Sequence, residues 1–96
     1  VTGESGAGAA NYEILYERRA RRDLDRLPSA DFDRIDPRIW ALGENPRPHG
    51  VEKLDENKFR IRVGPWRVIY LIDDKARRVI ISRVKRRKED TYRRGL

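Results

Sequence analysis

The stretch Lys58-Phe59-Arg60-Ile61-Arg62-Val63-Gly64-Pro65-Trp66-Arg67-Val68-Ile69-Tyr70 alternates strictly ahead of its Gly-Pro pair, with Phe59, Ile61 and Val63 set against Lys58, Arg60 and Arg62. A period of two is that of a strand buried on one face. Gly64 supplies the backbone freedom of a tight turn, and Pro65 forbids a continued central ladder, so the chain folds back through a two-residue loop. Val63 then faces Trp66, Arg62 faces Arg67, and Arg60 lies diagonal to Arg67. Three guanidiniums share the face turned away from Phe59, Ile61, Trp66 and Val68. Like charges directly opposite one another destabilise a sheet, so their grouping points to an anion bound there. A solvated outer face of an antiparallel sheet is the plainer alternative.

Outward from the hairpin, Asp73-Asp74-Lys75-Ala76-Arg77 turns the chain, and Arg78 to Val84, rich in β-branched residues, completes the sheet. Upstream, Val51 to Leu54 reads as a short edge segment, Asp55-Glu56-Asn57 as a turn, and Asn45 to Gly50 as a stiff loop. Tyr12 to Tyr16 alternates as a first strand. Arg18 to Leu27 changes to a helical period through Ala20, Leu24 and Leu27, with Arg19 and Asp23, and Arg21 and Arg22 with Asp25, spaced for ion pairs along the helix. Pro28 ends it. Ser29 is a natural N-cap for a second helix, with Phe32, Ile35, Ile39 and Leu42 as its buried stripe, and Pro37 predicts a kink or a split within it. The expected architecture is α+β in the order β-α-α-β-β-β, two helices packed on one face of a small, mainly antiparallel sheet. Residues 1–10, small and without periodicity, are expected to form a disordered leader, and residues 11–96 a single domain.

Residues 1–48 hold 8 Lys/Arg and 9 Asp/Glu, whereas residues 49–96 hold 15 and 7. The second half is a polycation with a net charge of +8, which suits a nucleic acid or an acidic protein. Without cysteine and with a single histidine, disulfides and an ordinary Cys/His zinc site are excluded. No apolar run is long enough for a membrane span, and no secretory signal is evident, so a cytoplasmic location without a membrane partner is expected. His49 lies in the proline-rich loop, far along the chain from the basic cluster, and is read as structural or incidental.

The chain ends in Arg83-Val84-Lys85-Arg86-Arg87-Lys88-Glu89-Asp90-Thr91-Tyr92-Arg93-Arg94, seven basic residues and two acidic ones with an aromatic among them. Basic groups beside an aromatic suit single-stranded RNA. Here the sequence resembles the RelE branch of the RelE/ParE toxins of type II toxin-antitoxin systems. The resemblance runs through Tyr12-Glu13-Ile14, Ala20 to Pro28, Asn45 to Gly50, Lys53-Leu54, Phe59 to Tyr70, Arg86-Arg87-Lys88 and Thr91-Tyr92-Arg93. Its specific part is the segment from Arg60 to Tyr70.

The resemblance implies a toxin that enters the ribosomal A site and cuts mRNA there, without metal or cofactor, by attack of a 2′-hydroxyl on its own 3′ phosphate. It implies a cognate antitoxin in a hetero-oligomeric complex. That chemistry needs a proton acceptor, positive charge on the phosphorane and a proton donor at the departing 5′ oxygen. Arg60 and Arg62 fall at two basic positions of the family, Arg67 at its phosphate-stabilising arginine, Arg86 at its suggested general acid and Tyr92 at its C-terminal aromatic. Lys58, Arg83, Lys85, Arg87, Lys88 and Arg93 are the further RNA-binding candidates. Members can carry lysine where this chain has Arg60 and Arg62, and a guanidinium, with a pKa above about 12, is a poor proton acceptor. The base is left open among Lys85, Lys88, Tyr92 and groups on the RNA or ribosome. Two other readings share the scaffold: a ParE-like protein that inhibits DNA gyrase by binding, and a non-toxic relative that binds RNA.

Overall fold

In the computed structural model, which describes residues 12–87, the alternating stretch forms strands because each of its apolar residues has a buried place to occupy. The elements are β1 (Glu13–Tyr16), α1 (Arg18–Asp25), α2 (Ser29–Ala41), β2 (Glu52–Lys53), β3 (Lys58–Val63), β4 (Trp66–Asp73) and β5 (Arg78–Arg86). They build one five-stranded sheet in the order β1-β5-β4-β3-β2. Its pairs are antiparallel except β1 with β5, which run parallel. The α+β arrangement expected from the sequence is therefore the observed one, with β2 as the edge segment. Val1 to Ala10 lie outside the described residues.

The β3–β4 hairpin closes as its turn residues require, with Val63 opposite Trp66 and Arg62 opposite Arg67. Gly64 sits at φ +60°, a left-handed conformation that costs glycine nothing. The inner face then presents Phe59, Ile61, Val63, Val68, Tyr70 and Ile72, joined by Val79, Ile81 and Val84 of β5 and met by Ala20, Ile35, Ile39 and Leu42 from the helices. Burial of each large aliphatic side chain contributes roughly 1.5–3 kcal/mol. Beneath this core, the buried Tyr70 hydroxyl donates to the Pro46 carbonyl at 2.7 Å and ties the proline-rich loop to the sheet.

A bulge in β5 decides which of its cations reach the outer face. Tyr70 pairs with Ile81 and Ile69 with Arg83, so Ser82 is the extra residue. Before it Val79 and Ile81 point inward; after it Val84 does. The one-residue slip turns Arg83 and Lys85 to the outer side, which an unbroken alternation from Val79 would have denied them.

Three local expectations are corrected. Pro28 holds the N-cap position of α2, and Ser29 is its first helical residue, with no side-chain cap. The helix does not split at Pro37 but continues through it to Ala41, because Ile35 and Ile39, both fully buried, anchor the turns on either side while Pro37 faces solvent. The pairing of Arg19 with Asp23 is replaced, for Asp23 reaches β5 instead. It accepts from Arg83 Nε at 2.8 Å and from the Val84 backbone N–H at 2.9 Å, satisfying the edge of β5 beyond the point where β1 stops pairing with it.

Candidate functional site

The outer face of the hairpin gathers cations across three strands. Arg62 of β3 stands opposite Arg67 of β4, and Lys85 of β5 stands opposite Arg67 on its other side. Arg60, two residues from Arg62, shares this face, as does Lys58 farther along β3. The Nε of Arg67 is buried and has no hydrogen-bond partner among the described residues. A buried donor left without a partner carries a desolvation penalty of about 1–3 kcal/mol, which an incoming acceptor would relieve.

Among the described residues one acidic side chain enters the cluster. Glu52 of β2 stands opposite Arg60, accepts from its Nε at 2.7 Å, and lies 3.4 Å from Nη2 of Arg62. The hydrogen bond from Arg60, with the charges of Arg60, Arg62 and Arg67, holds the Glu52 carboxyl below the usual glutamate range against a smaller opposing effect of burial. Sequence reading passed over Glu52 because its strand is only two residues long. A signal was present: a three-residue turn between Leu54 and Lys58 makes a hairpin that brings residue 52 beside residue 60.

The remaining candidates divide. Arg83 bends back to Asp23 at the sheet edge, and Arg86 pairs with Trp66 on the helix side, its guanidinium 5.6 Å from the indole centroid. The Arg87 backbone N–H donates to the Pro65 carbonyl at 2.7 Å, holding the end of β5 against the hairpin turn. His49 is exposed in its loop. Lys88, Tyr92 and Arg93 lie outside the described residues. The structure thus brings together Arg60, Arg62, Arg67 and Lys85, adds Glu52, and sets Arg83 and Arg86 at the margins.

Guanidinium forks in this arrangement suit bidentate binding of a phosphodiester, and the carboxylate among them can accept a proton. On the helix side the chemistry differs. Tyr16, Leu24 and Phe32 line a groove between α1 and α2, and Trp40, 58% exposed, stands farther along α2.

A family model described as the ParE toxin of the type II toxin-antitoxin system parDE matches residues 14–91. The toxin RelG of Mycobacterium tuberculosis is 35% identical over 94 residues, covering 86% of this chain and 98% of RelG. Among solved structures, a chain of the archaeal RelE–RelB complex from Pyrococcus horikoshii superposes with a TM-score of 0.75 at 27% identity, covering 82% of this chain and 98% of that one. A chain of the toxin-antitoxin complex RelBE2 from Mycobacterium tuberculosis gives 0.72 at 28% identity, covering 83% and 95%.

Proposed function

Because the chain belongs to the RelE/ParE superfamily, as a RelE-like toxin of a type II toxin-antitoxin system, we propose that it is an endoribonuclease that cuts mRNA in the ribosomal A site and is silenced by a cognate antitoxin. The observation that carries this reading is the row Arg62, Arg67, Lys85 across three strands, with Arg67 Nε, buried and without a partner among the described residues, at its centre and Glu52 at its rim.

In the proposed reaction a ribose 2′ oxygen forms a bond to the adjacent phosphorus, the bond from phosphorus to the 5′ oxygen breaks, and a cyclic 2′,3′ phosphate and a 5′ hydroxyl result. Charge grows on the non-bridging oxygens as the phosphorane forms. Arg62 and Arg67 are placed to neutralise it, Arg60 and Lys85 adding to the field. Preorganised donors of this kind are worth roughly 10²–10³ in rate each. Glu52 supplies the proton acceptor that guanidiniums cannot. A phosphate that engages Arg60 and Arg62 frees the carboxylate from both, and its basicity then rises toward the ordinary range. For the donor to the 5′ oxygen the resemblance points to Arg86 and Tyr92; Arg86 stands beside Trp66 on the face opposite Arg67, so the role is assigned to Tyr92.

The ParE description of the matching family model favours a second reading, inhibition of DNA gyrase by binding. Mapping mRNA 5′ ends after brief induction separates the two. Cuts within translated codons that vanish in Arg67→Ala support the nuclease. Intact mRNA with arrested growth and damaged DNA moves the chain to the gyrase class. Either target places the protein in the cytoplasm, and no helix among the described residues is long and apolar enough to cross a membrane.

A further inference from the structure

Helix α1 separates two clefts of different character. The one on the α2 side carries Tyr16, Leu24 and Phe32 together with Arg21, Asp25 and Asp36. The one on the β5 side, about 200 Å³, is lined by Arg19, Arg22, Asp23, Arg26 and Arg83, with no apolar or aromatic side chain among these five. Asp23 is committed to Arg83 and to the Val84 backbone N–H, so it leaves Arg19 without the partner their spacing suggests. Among the described residues no ion pair within the 4.0 Å limit forms at Arg19, Arg22 or Arg26. Their positions at i, i+3 and i+7 make one stripe along α1 and its first following residue.

We propose that Arg19, Arg22 and Arg26 form a second phosphate-binding surface, which grips the backbone of paired RNA while the sheet face acts on the strand to be cut. The inference rests on the nuclease reading above and names its partner as folded ribosomal RNA. Three features select that partner. The stripe spans about 10 Å of helix, a length over which one nucleic-acid strand carries roughly three phosphates. A cleft without an aromatic side chain offers unpaired bases nothing to stack on, whereas a duplex with its bases turned inward presents phosphates and 2′-hydroxyls. A protein helix would need apolar anchors, and these lie on the opposite side of α1. The bond from Asp23 to β5 locks α1 to the strand that carries Lys85, which fixes the distance between the two surfaces.

The test compares wild type with Arg19→Gln/Arg22→Gln/Arg26→Gln and with the corresponding triple Lys variant, each checked for folding by circular dichroism and thermal midpoint. Glutamine and lysine have nearly the helix propensity of arginine, so the fold is kept. The probes are a blunt RNA duplex of about 20 base pairs, a single-stranded RNA of the same length and 70S ribosomes programmed with mRNA. For the duplex, the slope of log affinity against log salt should fall by about 2–3 in the Gln variant, stay near wild type in the Lys variant, and change little for the single strand. Cleavage on ribosomes should weaken at least tenfold through KM. An unchanged duplex slope in a folded Gln variant overturns the proposal. So does a variant that loses binding to an acidic polypeptide such as poly-glutamate while keeping duplex RNA. If wild type fails to cut ribosome-bound mRNA, the nuclease reading falls, and the duplex measurement alone decides the stripe.

Discussion

Nε and Nη2 of Arg60 both lie 2.7 Å from the same oxygen, Oε1, of Glu52. The carboxylate holds the fork that a phosphodiester would take, so it acts twice: as a rival of the substrate and, once displaced, as an acceptor for the 2′ proton. Glu52→Gln should separate the roles. Single-stranded RNA is expected to bind several-fold more tightly at low salt, since an anion has left the face. Turnover on programmed ribosomes is expected to fall by about 10²-fold or more, the usual contribution of a positioned base. Tighter binding with unchanged turnover would leave Glu52 a counterion and move the base elsewhere.

Arg67 has two cationic neighbours, Arg62 and Lys85, and a buried Nε without a partner among the described residues. Removing it relieves repulsion as well as losing a donor. Arg67→Ala should therefore fold with a stability change under about 1 kcal/mol while losing at least about 10²-fold in cleavage and its toxicity on induction. Arg67→Lys should recover only part, because an ammonium keeps the charge but lacks the fork. Full toxicity in a folded Arg67→Ala chain would remove this residue from the site.

Burial pushes the Asp23 carboxyl up, but hydrogen bonds from Arg83 and the Val84 N–H, with the charges of Arg83 and Arg26, outweigh it and hold the group below its usual range. A folded-state pKa below the unfolded one means that stability is fully present above the unfolded value, about 3.9, and is lost as pH falls through the folded one. Asp23→Ala should cost about 1–2 kcal/mol near neutrality, after allowance for solvent screening. The difference in thermal midpoint between the variant and wild type should narrow progressively below about pH 4. A constant difference down to pH 2 would show that the carboxylate charge contributes nothing.

The hairpin and its arginine pair were legible because alternation, Gly64 and Pro65 are local signals that agree with one another. Pro37 shows where local signals fail. The pyrrolidine removes a helical hydrogen bond whatever the context, yet Ile35 and Ile39 bury on one face and hold the helix through it. Lys85 and Arg83 reach the outer face only through the bulge at Ser82, and nothing in Arg78 to Val84 announces an extra residue in a ladder. Arg86 lies one position beyond Lys85 and so falls beside Trp66, a consequence of pleat that a family match along the sequence does not resolve. Glu52 belonged to pairing between β2 and β3, which a two-residue strand signals too weakly to read.

Pro37 also yields a stability prediction. Its side chain faces solvent and the helix around it is already formed, so Pro37→Ala restores one backbone donor and removes a steric conflict without disturbing the core. An interior proline costs a helix about 3 kcal/mol relative to alanine, partly offset by the stiffer unfolded chain. The variant should gain about 1–2 kcal/mol, read as a rise of several degrees in thermal midpoint. A fall would mean that the bend proline imposes is needed for α2 to fit the sheet.

Phe32 and Trp40 lie eight residues apart on α2 and remain 38% and 58% exposed, although Ile35 and Ile39 on the same helix are fully buried. Phe32 closes the groove with Tyr16 and Leu24. Large apolar groups left in water on one helix suit an amphipathic segment of a partner, and aromatic anchors dominate such contacts. Under the proposed function that partner is the antitoxin. Phe32→Ala and Trp40→Ala should each weaken the toxin-antitoxin complex by tenfold or more, a loss of at least about 1.4 kcal/mol, through faster dissociation. Neither side chain lies on the sheet face, so cleavage by the freed toxin should stay at wild-type level. If both variants bind antitoxin normally and the basic face is instead what it covers, affinity will fall steeply with salt, because the association would then rest on exposed charge.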